Sequence, residues 1–267
     1  MQVGVSTWYP ADVTGGLDAD VASFLARLTT PPTTERAALY NTFIVDLKAA
    51  GVWDKLDILY LMAAADSQAA RLNLKSSSFT LNTLNSPTFT TDRGYNGDGV
   101  ASYLNTTLNP NVGGPYQFSL NSATVGIWIN QTSGGTDAYD FGNVDGGNNL
   151  KASLRTHRLN NTCVAILNSA SSAAPASTSP LGLTTVTRTD GTEFKVFRDS
   201  GILAQPAIAS DVVGNIMYFG ARATTTAAGG YSTRRYPAFF MGGGLTNVEV
   251  GALYTALSTY LTAVGGN

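Results

Sequence analysis

The pattern of apolar and polar positions along the chain changes near Leu74. Before that residue, apolar side chains of the segment TTERAALYNTFIVDLKAAG recur three and four positions apart, at Leu39, Tyr40, Phe43, Ile44 and Leu47. Gly51 stands where such a helix would end. The spacing therefore predicts a helix here. It also predicts a short helix over about 18–28 and an apolar helix over about 54–65.

After Leu74, short β-rich runs alternate with turn residues. The segment ATVGIWIN places Val125, Ile127 and Ile129 on one face of a strand. The segment RTDGTEFKVFRDSG has the form of a strand, a turn at Asp190–Gly191 and a second strand. Many short strands with regular turns are typical of an antiparallel sandwich or jelly roll.

The chain closes with the segment LTNVEVGALYTALSTYLTAVGG, which predicts a helix. Thr246 and Glu249 have the spacing of a capping box, and Gly265 supplies the end. The apolar stripe of this helix must lie on another layer. The expected fold is mainly β: a two-sheet antiparallel jelly-roll sandwich, with N-terminal helices and a C-terminal helix packed on it.

Three segments divide the chain. Residues 1–32 are too short and polar to form a core of their own. Residues 33–74 are expected to be a helical segment packed on the sandwich, and residues 75–267 the sandwich with its C-terminal helix. Within the last segment, the low-complexity run SASSAAPASTSP, residues 169–180, predicts a flexible surface loop.

Composition narrows the classes of partner. Charged residues make up 13% of the 267 residues, about half the usual share in soluble proteins. The net charge is −2 and the 16 Lys and Arg are spread out, so nucleic-acid binding is not expected. The longest apolar run, residues 58–65, is far below the ~20 residues of a membrane span. With no secretory signal pattern, we expect a soluble protein made in a reducing cytoplasm, without membrane contact.

Few residues offer catalytic chemistry. His157 and Cys163 are the only histidine and cysteine, so they cannot build a zinc site alone, and Cys163 is expected to be buried. The three glutamates do not form the E-x-D-x-x-E arrangement of sandwich-fold glucanases, although an Asp pair stays open. The prediction is a protein that is not an enzyme and has no cofactor. Arg222, Arg234 and Arg235 are expected to be exposed at loop ends.

Two features are candidate ligand sites. The segment DAYDFGNVDGGNN is rich in oxygen donors, which suit a glycan or Ca²⁺, but Asn, Asp and Gly are also ordinary turn residues and the spacing is not that of an EF-hand loop. Trp128 faces away from the Val125 face, toward either a ligand or a packed helix. The candidate glycan- or ion-binding residues are Trp128, Asp137, Tyr139, Asp140, Asn143, Asp145 and Asn148.

The glycine-rich segment RGYNGDGVASYLNT does not bind phosphate, because no Lys follows its second Gly as in a phosphate-binding loop. It predicts a tight turn over Asn96–Gly99 followed by a strand from Tyr103.

Several segments together resemble a known module. SPTFTTDRGYNGDGVASYLNT, the preceding GVWDKLDILYLMAAADSQAARLNL, the hairpin RTDGTEFKVFRDSG and the closing helix resemble the concanavalin A-like (laminin G-like) jelly rolls of tailed-phage and prophage structural proteins. The resemblance covers most of the chain and brings no catalytic motif. It implies a virion location after synthesis in the bacterial cytoplasm, contact with other virion proteins through residues 1–32, and a homo-oligomer.

Three functions follow, in order of preference. The first is a tail, fibre or capsid-appendage protein that displays a lectin-like domain for adhesion to a host-surface glycan. The second is a capsid or tail decoration protein with a purely structural role. The third is a polysaccharide-degrading enzyme.

Overall fold

A computed structural model describes residues 16–112, 114–132 and 137–267 of the chain. Residues 1–15, just under half of the predicted attachment segment 1–32, lie outside the described residues. The remainder of that segment contains a short helix whose apolar side chains, Val21, Phe24 and Leu25, are buried.

Each α-helix of the described residues begins at a capping side chain. The helices are α1 (Ala19–Leu25), α2 (Thr34–Ala49) and α3 (Asn247–Val264), with short 3-10 helices at Trp53–Lys55 and Ala69–Arg71. The predicted capping box of α3 is confirmed: Thr246 Oγ1 accepts from the Glu249 amide at 3.3 Å, and the Glu249 carboxylate accepts from the Thr246 amide at 2.8 Å. Gly265 ends α3 with a φ of 71°.

Most other elements are short strands. They are β1 (Leu56–Leu61), β2 (Asn82–Leu84), β3 (Thr88–Thr90), β4 (Gly94–Asn96), β5 (Tyr103–Asn105), β6 (Ala123–Ile129), β7 (Phe141–Val144), β8 (Leu150–Arg155), β9 (Val164–Leu167), β10 (Gly182–Arg188), β11 (Lys195–Arg198), β12 (Gly201–Ala204), β13 (Tyr218–Phe219), β14 (Arg222–Ala223), β15 (Ala228–Gly229), β16 (Arg235–Tyr236) and β17 (Ala238–Gly242).

Two six-stranded sheets form the body of the molecule. The first has the order β1-β17-β6-β10-β11-β12, and the second has the order β2-β5-β13-β7-β8-β9. Strands β16, β4 and β3 form a small third sheet, and β14 pairs with β15 alone. Paired strands are antiparallel, as in the predicted hairpin of β10 and β11. The predicted two-sheet sandwich is therefore confirmed.

The sandwich has two apolar cores, one on each face of the first sheet, and the side chains of β6 point alternately into one and the other. Val125, Ile127 and Ile129 belong to the core between the sheets. Trp128 belongs to the core between the first sheet and the helices. The helices bury their apolar faces against the first sheet, so the predicted packing of the terminal helices on the sandwich is also confirmed.

The helix predicted over 54–65 is wrong. Residues Leu56–Leu61 form β1, which pairs with β17 in the first sheet. Both faces of this strand are covered: Ile58 and Tyr60 lie in the core between the sheets, whereas Leu59 and Leu61 lie under the helices. A strand buried on both faces is continuously apolar and loses the two-residue alternation that distinguishes it from a buried helix. The α-helix of the segment 33–74 is therefore confined to Thr34–Ala49, and the rest of the segment contains β1 and two short 3-10 helices.

The prediction of a flexible loop over 169–180 is also corrected. Ala173 bridges to Ala165 of β9, and the Cys163 amide donates to the Pro175 carbonyl at 2.8 Å. Ala173 and Ser177 are buried. The free edge of β9 needs backbone partners, and this small-residue segment supplies them.

The glycine-rich turn connects two sheets. As predicted, the chain turns after β4 and β5 starts at Tyr103, but β4 belongs to the small sheet and β5 to the second large sheet. The Asp98 carboxylate accepts hydrogen bonds from the amides of Val100, Ala101 and Ser102 at 2.8–2.9 Å. These bonds hold the turn together and lower the pKa of Asp98 far below its usual value.

Two further expectations concern apolar groups. Cys163 is buried as predicted, and this burial raises the pKa of its thiol to about 12. Within the described residues, no helix combines the length and the hydropathy that a transmembrane segment requires.

Candidate functional site

The predicted candidate residues separate into a buried group and a surface group. Trp128 is buried and stacks on Tyr254 of α3, with ring centroids 5.7 Å apart and planes 5° apart. Of the two alternatives for Trp128, the packed helix is therefore correct. Its assignment to a ligand site is withdrawn, because α3 covers the indole.

Asp140 is also buried and has a structural partner. Its carboxylate accepts hydrogen bonds from Arg234 Nη1 at 2.7 and 2.8 Å and from the Thr156 amide at 2.7 Å. The side chain of Arg234 is 1% exposed, so the prediction of an exposed Arg234 is wrong as well. Two opposite charges at distant sequence positions compensate each other here, and neither is free to contact a surface ligand.

Asn143 is buried inside the second sheet. Its Oδ1 accepts from the Ala152 amide at 2.8 Å, and its Nδ2 donates to the Asn215 carbonyl at 3.0 Å. The register of β7 against β8 is irregular between Asn143 and Val144. The side chain thus bridges backbone groups at a bulge, and Asn143 does not reach the surface as a ligand contact.

Asp145 and Asn148 lie in the turn between β7 and β8. The Asp145 carboxylate accepts from the amides of Gly147 and Asn149 at 2.9 Å and lies 3.4 Å from Lys151 Nζ. The Asn149 hydrogen bonds are the first cause of the lowered pKa of Asp145. Asn148 is exposed with a φ of 64°.

The hydrogen bonds of this turn argue against the Ca²⁺-binding alternative. The oxygens of Asp145 bond to its own turn and to a lysine, so this turn has no open ring of oxygen ligands. In the described part of the chain, no group of three or more His, Cys, Asp or Glu could hold a metal ion.

Tyr139 and Asp137 lie at the surface beside arginines. Arg155 and Arg222 lie over the Tyr139 ring, with guanidinium carbons 4.9 and 5.4 Å from its centroid. Asp137 is exposed and pairs with Arg158 at 2.6 Å, which lowers the pKa of Asp137. These two predicted residues therefore lie in an accessible, polar environment.

Three further tyrosines extend this surface, and the sequence prediction did not include them. The ring of Tyr103 lies 4.8 Å from that of Tyr218 and 6.2 Å from that of Tyr231, measured between centroids. All three are half-buried. Burial and the neighbouring Tyr218 raise the pKa of Tyr103, so its hydroxyl stays protonated at physiological pH.

Backbone contacts join the two groups. Tyr218 pairs with Gly142 on β7, and a Cβ at Gly142 would lie 2.8 Å from Arg222 Cβ, so Arg222 packs directly over this glycine. The Tyr139 amide donates to the Gly230 carbonyl at 2.8 Å, next to Tyr231. The six side chains form one continuous surface, which we call the tyrosine–arginine face: Tyr103, Tyr139, Arg155, Tyr218, Arg222 and Tyr231.

Strand alternation places this face on the outside of the second sheet. Leu104, Leu154 and Phe219 belong to the core between the sheets. Their neighbours in sequence, Tyr103, Arg155 and Tyr218, must therefore point away from that core. At one end of the face, an open depression of about 440 Å³ is lined by Gly99, Asp137, Ala138, Gly230, Tyr231 and Thr233.

A second depression, of about 320 Å³, lies between the β10–β11 hairpin and the start of α3. Glu193 is the one carboxylate among its described lining residues, and Gln205 Nε2 donates to this carboxylate at 2.8 Å. Glycoside hydrolysis usually requires two carboxyl groups across the bond. This depression therefore lacks the pair that the enzyme alternative needs.

Comparison with known proteins shows the fold. No family model matches the chain, and no curated protein matches it. Solved structures do match: the receptor-binding domain of botulinum neurotoxin C/D mosaic serotype has a TM-score of 0.56 at 10% identity, over 76% of this chain and 51% of that one. This chain spans about half the length of each of these toxin structures.

Two further neighbours are structures of botulinum neurotoxins. The serotype D ligand-binding domain, solved in complex with N-acetylneuraminic acid, has a TM-score of 0.52 at 10% identity and covers 79% of this chain and 52% of that one. The other is a structure of botulinum neurotoxin type C, a toxin whose cell entry is described as dependent on interaction with two ganglioside molecules. It has a TM-score of 0.53 at 11% identity and covers 78% of this chain and 53% of that one. At such identities the likeness establishes a common β-sandwich fold alone.

Proposed function

We propose that this chain is a carbohydrate-binding adhesion module that contacts its glycan through the tyrosine–arginine face. The observation that carries the proposal is the unequal covering of the two sheets. Helices cover the outer face of the first sheet, whereas half-buried tyrosines and arginines form a continuous surface on the second.

The chemistry of this face suits a sugar. Aromatic rings pack against the apolar faces of pyranose rings, and tyrosine hydroxyls and guanidinium groups donate hydrogen bonds to sugar oxygens. The face and the adjoining depression are open and shallow, so an oligosaccharide could lie along them with several units in contact. The neighbours described with N-acetylneuraminic acid and gangliosides support the proposal, because they use the same fold.

A glycan array tests this proposal. We expect the intact protein to bind a defined set of glycans, and Tyr103→Ala and Tyr218→Ala each to weaken that binding about tenfold or more, because each removes a stacking surface. Tyr116→Ala is the matched control, since Tyr116 is half-buried like the tyrosines of the face but its ring packs against Phe79. Absence of any glycan signal above background, or an equal loss in all three variants, contradicts the proposal.

The setting of the module is a phage virion in this proposal. The support is the resemblance of several segments to tailed-phage structural proteins, together with the sandwich fold that this resemblance implied. Residues 1–32 would attach the module to other virion proteins, in a homo-oligomer that displays several copies of the face. Immunogold labelling of the phage that encodes this chain tests the location, and unlabelled particles contradict it.

A structural decoration protein is the second candidate. Tyrosine and arginine are also enriched in protein–protein interfaces, so the same face could pack on a neighbouring virion protein. A map of the particle distinguishes the two: the face points outward in an adhesion module and is buried against the shell in a decoration protein.

A further inference from the structure

Two guanidinium groups of the tyrosine–arginine face have no hydrogen-bond partner among the described residues. The side chains of Arg155 and Arg222 are half-buried, and neither guanidinium group donates a hydrogen bond or forms an ion pair within that part of the chain, although the charge of Arg155 contributes to the lowered pKa of Asp137. Two other arginines of this region do have acidic partners: Arg158 pairs with Asp137, and Arg234 pairs with Asp140. A guanidinium group carries five N–H donors, so partial burial without acceptors leaves strong binding capacity unused.

Both guanidinium groups lie beside the same tyrosine ring. Each guanidinium carbon lies within 5.4 Å of the same ring centroid, that of Tyr139. The nearby carboxylate of Asp137 already bonds Arg158 through both of its oxygens, at 2.6 and 3.3 Å. The fold thus holds two like charges beside one tyrosine, in a protein whose net charge is −2. A bound anion would relieve this repulsion, whereas a neutral sugar would leave it in place.

We propose that the glycan of this face is acidic and that Arg155 and Arg222 bind its carboxylate. This inference rests on the proposed glycan-binding function and adds the ligand class. The planar guanidinium matches a carboxylate with two parallel hydrogen bonds, which a lysine cannot do. Tyr103, Tyr218 and Tyr231 then contact the sugar rings, while the arginines select the charged unit. Uronic acids and sialic acids are the two sources of such a carboxylate.

Matched probes on one array test the ligand class. The array carries sialylated oligosaccharides beside their asialo forms, oligogalacturonates beside their methyl esters, and phosphorylated mannose oligosaccharides. We expect binding to the carboxylate form of at least one pair and at least tenfold weaker binding to its neutral partner. Binding to neutral or phosphorylated glycans alone overturns this inference and leaves the proposed function standing, whereas binding to no glycan overturns both.

Variants of the two arginines test whether these residues bind the carboxylate of the glycan. For the best acidic probe, calorimetry of Arg155→Gln and Arg222→Gln should show affinity about 10- to 100-fold lower, the usual effect of removing a hydrogen bond to a charged group. Lysine at either position should restore part of that loss, because the charge returns without the planar fork. Lys195→Gln is the control, since Lys195 lies on β11 of the first sheet. Equal affinity in both glutamine variants and the control contradicts the assignment.

Discussion

Arg234 and Asp140 show how single residues hold the candidate face in place. Their side chains are 1% and 0% exposed, and Arg234 Nη2 also donates to the His157 carbonyl at 2.6 Å. Asp140 immediately follows Tyr139, and Arg234 follows Tyr231 by three positions. The buried pair therefore ties together the two chain segments that carry these tyrosines.

Removing one charge of this pair should destabilise the protein strongly. Asp140→Asn leaves Arg234 buried without a counter-charge, which typically costs about 3–5 kcal/mol of the free energy of unfolding. Chemical denaturation measures the change. Asp137→Asn is the matched control, because the Asp137–Arg158 pair is exposed and should change stability little. Similar losses in the two variants would contradict the structural role of the buried pair.

Asp98 should make stability depend on acidity. Three amide donors lower its pKa in the folded state, so its contribution is complete above the unfolded value near ~4 and is lost as the pH falls below it. Asp98→Asn cannot ionise, and we expect its free energy of unfolding to fall less than that of the wild type between neutral and strongly acidic pH. Parallel pH profiles for the two proteins would contradict this expectation.

Among the elements, those with a local signal could be predicted from the sequence. The capping box fixed the start of α3, and strict alternation identified β6. By contrast, β1 is covered on both faces, so its apolar run carried no period. The ion pair of Arg234 could not be predicted from the sequence either, because the contact between Arg234 and Asp140 depends on the tertiary fold.

The candidate site could be predicted only in part. The contiguous polar residues of the segment 137–149 predicted a site there, and this segment contains Tyr139. The other members of the tyrosine–arginine face come from β5, β8, β13, β14 and the segment after β15. Except for Tyr231, each is one outward position on a short strand, and only the pairing of the strands brings these positions together. Alternation in SYLNT and MYFG could have indicated that Tyr103 and Tyr218 point outward, but their proximity depends on register.

Two glycine substitutions test the packing of α3 and β6, and they should change the stability of the protein in opposite directions. Gly251 lies in α3 with no atom within 4 Å of an added Cβ, so Gly251→Ala should stabilise the protein by about 0.5–1 kcal/mol. Gly126 lies in β6 under the Phe240 ring, where an added Cβ would lie 2.1 Å from a ring carbon. Gly126→Ala should therefore cost about 1–3 kcal/mol.

Thermal or denaturant unfolding measures both variants. Gly126→Ala combined with Phe240→Leu supplies the control, because the smaller side chain makes room for the methyl group. The combined loss should then be smaller than the sum of the single losses. Strict additivity would show that the contact between β6 and β17 is not the cause.

At the scale of the whole molecule, the two outer faces of the sandwich differ in accessibility. The helices take up the apolar surface of the first sheet, and Trp128 and Phe240 are buried beneath them. The second sheet turns half-buried tyrosines and arginines outward and is crossed by the β14–β15 hairpin at Gly142. The accessible outer face of the sandwich is therefore the polar, aromatic surface of the second sheet.

Tyrosine nitration can map this asymmetry in the intact protein. Tyr60 and Tyr236 are 0% exposed and should stay unmodified, because the reagent cannot reach their rings. The half-buried tyrosines of the face should react, and a glycan selected on the array should protect them. Tyr116 is half-buried and its ring packs against Phe79, so it should react equally with and without the glycan. Mass spectrometry of the peptides reports each position. If the glycan protects Tyr116 and leaves Tyr103 and Tyr218 reactive, the binding surface lies elsewhere, since a glycan on the second sheet must cover the rings of that sheet first.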